Sequence, residues 1–152
     1  MSLLKVNELL NTSGNTDITN VGKVLQVVRS STTSEFDANS TSYSNTFTVS
    51  ITPKSSSSHF LVIFQPVRLT MGGSTDGLYR LMQGSTAGQN TYRIAYAGSG
   101  YKNPVMIFNF PTNRTAGSAI TFTLQAKTST ADTNILGDNG STSTATCMEY
   151  IA

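Results

Sequence analysis

Apolar residues in this chain recur at every second position in short runs, and that period limits the fold more than any other feature. In "ITFTLQA", Ile120, Phe122 and Leu124 fall on one side while Thr121, Thr123 and Gln125 fall on the other. A two-residue repeat is that of a strand with one buried and one wet face, whereas a helix would scatter the same residues around its circumference. Phe47, Val49 and Ile51 alternate with Thr46, Thr48, Ser50 and Thr52 in the same way. Further β segments are expected at Lys23 to Arg29, Leu78 to Met82, Thr91 to Ala97, Val105 to Phe110 and Thr144 to Ile151. The long run "HFLVIFQPVRLT" reads as one more, with Pro66 at a sheet edge or bulge because proline brings no ladder donor.

Between these runs stand "MGGSTDG", "GSTAGQN", "AGSGYKN", "PTNRTAG" and "GDNGS", stretches of Gly, Asn, Asp and Pro that favour turns. About eight or nine strands at such spacing predict an all-β fold, an antiparallel β-sandwich of jelly-roll type. No helical period of useful length lies between the strands, which disfavours a parallel α/β arrangement. In "KVLQVVR" and "HFLVIF" apolar residues occupy both parities, so both faces of the first are expected to be covered, and together the two strands offer surface to bury against copies of the chain. Charged residues make up only 12% of the chain while Ser and Thr together reach roughly a quarter, so the surface is hydroxyl-rich rather than ionic.

Residues 1 to 20 differ from the rest and read as an arm outside the sandwich domain of residues 21–152. Leu3, Val6 and Leu10 fit one face of a short helix ending near Gly14, and the same stretch fits an extended segment equally well. The polar connector "NTSGNTDITN" follows. Its composition lacks the continuous apolar core of a signal peptide, and nothing in the chain approaches the roughly 20 apolar residues of a membrane-spanning helix. The stretch "ITPKSSSSHFLVIF" raises the question of a second boundary, since four serines resemble a linker. The strands on either side have too little apolar surface to stand alone, so the tract reads as a solvated loop inside one sandwich.

The chemistry-bearing side chains are sparse. His59 is the single histidine and Cys147 the single cysteine, so neither a metal site nor a Cys-His nucleophile pair is indicated, and Cys147 reads as a buried small hydrophobe beside Ala145 and Ile151. Asp76, Asp132 and Asp138 stand in turn contexts and no cofactor motif occurs. The formal net charge of +2 comes from scattered residues without a basic run, which argues against a nucleic-acid partner. The expectation is a non-enzyme without cofactor or metal. Tyr92, Arg93, Tyr96 and Tyr101 cluster around "AYAGSGYKN", where apolar rings with polar tips suit recognition of a carbohydrate or protein, or packing within the sandwich.

The succession "GKVLQVV", "FTVSITPKSSSSHFLVIF", "YRLMQGST" and "TSTATCMEYIA", led by "LLKVNELLNTSG", resembles receptor-binding or tip modules of bacteriophage tail fibres, especially those of phages of cyanobacteria and other marine bacteria. The resemblance covers nearly the whole chain and rests on packing and turn signatures. It implies a virion structural protein assembled in the host cytoplasm, trimeric about the fibre axis, with an arm carrying Leu3, Leu4, Val6, Leu9 and Leu10 that attaches to tail or baseplate proteins. Distal loops would then meet a host surface glycan. Fibres of this kind carry long upstream shafts and only about 20 residues precede the domain here, so a capsid decoration (cement) protein is the alternative; a free lectin or glycan hydrolase is the third.

Overall fold

The computed structural model describes residues 23–72, 76–94, 102–110, 115–130, 133–137 and 140–151. Among them are eleven strands and no helix: β1 (Lys23–Thr32), β2 (Phe36–Asp37), β3 (Ser44–Ile51), β4 (His59–Gln65), β5 (Leu69–Met71), β6 (Gly77–Gln83), β7 (Thr86–Ile94), β8 (Met106–Phe110), β9 (Ile120–Thr128), β10 (Asn134–Leu136) and β11 (Ser143–Ile151). The arm, and with it the question of a short helix near Gly14, lies outside the described residues.

Two four-stranded sheets carry the fold, one in the order β1-β11-β4-β8 and the other β3-β9-β6-β7, and every pairing is antiparallel. The eight long strands take their places by crossing back and forth: β1, β4, β8 and β11 build the first sheet, while β3, β6, β7 and β9 build the second. Non-neighbours in sequence therefore pair, and β1 lies beside β11 from the other end of the domain. A third sheet of short strands, in the order β2-β10-β5, closes one end.

The alternation seen in the sequence becomes the core. Phe60, Val62 and Phe64 of β4 and Met106, Phe108 and Phe110 of β8 point inward from the first sheet, and all six are buried. From the second sheet come Val49 and Ile51 of β3, Leu81 of β6, and Phe122, Leu124 and Ala126 of β9. Aromatic rings join the two layers. The Phe122 ring lies 5.4 Å from both Phe60 and Phe110, and Phe47 meets Phe64 edge-on at 5.9 Å. Such tilted contacts suit the ring quadrupoles and add to the burial of large apolar area. Within β6 a flattened place is needed, because the Tyr79 side chain folds back over Gly77 and its hydroxyl occupies the space of a β-carbon there.

Strands are found at the eight expected places, and the structure departs from the sequence expectations at four points. Strand β7 already begins at Thr86, so most of "GSTAGQN" is strand rather than turn, and Ala95 to Ala97 of the expected segment lie outside the described residues. The run from His59 to Thr70 is two strands, since β4 ends at Gln65, Pro66 is buried between them, and Arg68 takes a left-handed backbone (φ 63°) that turns the chain into the small sheet. Pro66 therefore makes a corner rather than an edge or bulge. Strands β2 and β10 are additional; with two and three residues they are too short to show an alternation. Finally, nothing among the described residues covers the outer face of β1. It is an edge strand whose register on β11 shifts between Val24 and Gln26. That shift puts Val24 and Val27 on the same outer side, where they are 48% and 55% exposed.

Replacing Phe122 by Ala should remove the ring that links both sheets and cost about 3–5 kcal/mol, whereas Thr123→Ala on the outer face should stay within about 0.5 kcal/mol. Urea denaturation of the two variants measures the difference.

Candidate interaction surfaces

The two outer faces of the sandwich are chemically unlike. On the β3-β9-β6-β7 sheet the outward positions carry hydroxyls, amides and cations that bond to one another. The Ser50 and Thr121 hydroxyls are 2.7 Å apart. Gln125 donates through Nε2 to Asn45 Oδ1 at 2.7 Å and accepts at Oε1 from Arg80 Nε at 2.9 Å. The Arg80 guanidinium lies 3.9 Å over the Tyr43 ring, with Lys127 Nζ 4.8 Å from the same ring. This face presents a satisfied polar network to water.

On the β1-β11-β4-β8 sheet the outward positions form rows across the strands. Val27, Met148, Leu61 and Asn109 stand in register in one row; Arg29, Thr146, Ile63 and Ile107 make the next. A third begins with Val24, Tyr150 and His59, the last two rings stacked at 5.6 Å between centroids. A shallow open groove of about 250 Å³ runs between Val24, Leu61, Asn109, Met148 and Tyr150. Among the described residues the four most exposed large apolar side chains, Val24, Val27, Val105 and Ile107, all belong to β1 or to β8 and the residue before it, the two edges of this same sheet.

The tyrosine cluster expected from sequence is only partly within the described residues, since Tyr96 and Tyr101 fall outside them. Tyr92 and Arg93 are described, and adjacent strand positions send them opposite ways. The Tyr92 hydroxyl donates to the Ile107 carbonyl and accepts from the Ile107 amide at 3.1 Å, while its ring meets Phe108 edge-on at 5.0 Å. It thereby ties β7 of one sheet to β8 of the other. Arg93 is held by Asp76: both Nε, at 2.8 Å, and a terminal nitrogen donate to Asp76 Oδ2. Asp76 is fixed in turn by its own amide, which donates to Ser129 Oγ at 3.0 Å. Both side chains are engaged within the fold, and they do not converge on a common pocket.

Glu149 is the residue that sequence reasoning missed. It sits inward on β11, fully buried, and its carboxylate receives four donors. Gln26 Nε2 reaches it from β1 at 2.5 Å, the amides of Lys54 and Ser55 reach it at 2.7 and 3.3 Å, and the Ser58 hydroxyl donates to the same oxygen as those amides. Gln26 also donates to the Thr52 carbonyl at 2.6 Å, and Pro53 O accepts from the Gly117 amide at 2.9 Å. The serine tract is thus not a wholly solvated loop: Ser56 and Ser57 are exposed, but Ser58 is buried. The signal was present in the parity of β11, where Glu149 follows Ala145 and Cys147 on the inward side.

Burial alone would raise the Glu149 carboxyl's pKa, but the bonds from Ser58, Gln26, Lys54 and Ser55 outweigh it and hold the group below the usual carboxylate value. A carboxylate so filled is a poor proton acceptor. The Cys147 thiol is pushed up to about 12, first by burial and then by the Glu149 charge, which leaves it inert as a nucleophile. Its burial agrees with the expectation from sequence. His59 packs on Tyr150, and among the described residues no three His, Cys, Asp or Glu side chains come together as metal ligands would.

Two outcomes follow for these engaged groups. Glu149→Gln should cost about 2–3 kcal/mol, because an amide turns an NH₂ toward donors that need an acceptor. The carboxyl's pKa is lowered on folding, so its contribution is complete above the unfolded value near 4.3 and is lost as pH falls through the lower folded value. Thermal melts from pH 7 down to pH 2 should accordingly show a steeper acid loss in the parent than in Glu149→Gln. Tyr92→Phe should lose about 1–2 kcal/mol in denaturant melts while keeping the fold, since the Phe108 contact survives and the Ile107 amide and carbonyl face the edge.

Compared with protein-family models and with curated proteins, the chain matches none.

Proposed function

We propose that this chain is a bacteriophage virion structural protein, a short tail fibre or receptor-binding module that works by binding and not by catalysis. The observation that carries the reading is the strand order. Eight long strands laid out as β1-β11-β4-β8 and β3-β9-β6-β7 fit the order of a jelly roll and so support that reading; viral capsid and lectin domains use this architecture. The sequence resemblance to tail-fibre tip modules points the same way. The filled carboxylate of Glu149 and the inert thiol of Cys147 support a non-catalytic role.

In this reading the chain is a homo-oligomer, a trimer about a fibre axis, whose arm of residues 1–20 inserts Leu3, Leu4, Val6, Leu9 and Leu10 into a tail or baseplate partner. Distal loops touch a host surface glycan, with Tyr92, Arg93, Tyr96 and Tyr101 as the proposed contact set; Tyr96 and Tyr101 lie outside the described residues. A capsid cement protein is the second reading, and the apolar outer face of the first sheet favours it as well, because a clamp between capsomers also needs surface to cover.

Quantifying the chain in purified particles and locating it by labelled electron microscopy tests both. A few dozen copies or fewer at the tail support the fibre, hundreds over the capsid support cement, and absence from particles overturns the virion reading. Removal of residues 1–20 should leave a folded oligomer that no longer joins the particle, and retained incorporation would contradict the arm's role.

A further inference from the structure

We propose that the outer face of the β1-β11-β4-β8 sheet is the surface on which copies of this chain meet. This rests on the oligomeric reading above and assigns it to particular residues. The contrast between the two outer faces is the starting point. One sheet satisfies its outward polar groups internally, with Ser50 bonded to Thr121 and Gln125 to both Asn45 and Arg80. The other leaves Val27, Met148 and Leu61 side by side across three strands, with nothing of the described chain over them.

Charge selects the occupant. Among the outward residues of the described rows, Arg29 is the one formal charge, and it stands on the outer strand rather than in the middle. A strongly charged partner would find nothing there to complement, whereas a second copy brings an equally neutral apolar surface and no repulsion. The residue types agree: Met, Tyr and Arg are enriched where proteins meet, and charges are depleted from the centre of such patches. Here Met148 lies on the inner strand β11 and Arg29 on the outer strand, with Tyr150 at the end of the face.

The size agrees too. Four strands at about 4.8 Å and roughly seven residues at about 3.3 Å make a face of about 19 by 23 Å. Where such a face, with the exposed edge side chains Val24 and Ile107 added, packs on neighbouring copies, it and the surface it covers together bury about 1,000 Å², where specific interfaces begin. Nothing among the described residues takes this patch out of water, which is the condition that marks interaction sites.

Sedimentation of the full chain and of point variants at micromolar concentration tests the assignment. The parent should run as an oligomer. Leu61→Glu should run as a monomer with an unchanged circular dichroism spectrum, and Thr123→Glu on the opposite sheet should remain an oligomer. Should Leu61→Glu fail to fold, the uncharged pair Ile63→Cys and Thr123→Cys gives the answer by maleimide labelling, because Cys147 is buried and silent. In the oligomer the thiol at position 63 should react slower than that at 123 by about tenfold or more. If the parent is an oligomer but position 63 labels as fast as position 123, or Leu61→Glu stays assembled, this face is not the interface and the oligomeric reading survives. A monomeric parent overturns both.

Discussion

A single buried carboxylate holds the crossover on which the sandwich depends. The chain must pass from β3 in one sheet to β4 in the other, and the passage runs through Thr52 to Ser58. Glu149, projecting inward from β11 in the first sheet, collects the Lys54 and Ser55 amides and the Ser58 hydroxyl from that passage, and Gln26 from β1 beside it. An unpaired buried charge would be strongly destabilising, but one with four donors fixes geometry that apolar packing leaves free. The tract therefore takes one path, and the sheets on either side keep one register relative to each other.

From that crossover follows the arrangement of faces. With β1, β11, β4 and β8 in one layer and β3, β9, β6 and β7 in the other, each strand's inward set of Phe, Leu, Ile and Val fills a common core, and its outward set is left to the surroundings. The second sheet spends many outward positions on Thr, Ser, Asn, Gln, Arg and Lys, several of them bonded to one another, whereas the first sets Val24, Val27, Leu61, Ile63, Ile107 and Met148 among fewer polar residues. A sandwich with one polar and one apolar exterior suits a protein whose work is to assemble and to touch other surfaces, which is the role proposed here.

Much of the fold was legible because a strand's period is short. Ile120, Phe122 and Leu124 announced their sheet face in the sequence, and the eight long strands were found with it. What was hidden depends on partners distant in the chain. The outward position of both Val24 and Val27 needs a register shift on β11, more than a hundred residues away. The seat of Glu149 needs Ser58 and Lys54, brought to it only when β11 lies between β1 and β4. Tyr92 and Arg93 looked alike as surface recognition residues, yet their bonds to Ile107 and Asp76 arise from pairings across sheets and turns that local composition does not encode. The serine tract was read as a loop inside one sandwich, which the strands on either side decided, but its composition hid that Ser58 is buried and that its hydrogen bonds make a corner.

That last contrast separates one sandwich with a fixed crossover from two modules on a tether. Hydrogen exchange of the Lys54 and Ser55 amides, followed by nuclear magnetic resonance at neutral pH, tests it most directly. The account predicts that both exchange as slowly as amides in β4 and β11, and that Glu149→Gln releases them without releasing the strands. Exchange of Lys54 and Ser55 at the rate of a free peptide in the parent protein would contradict it.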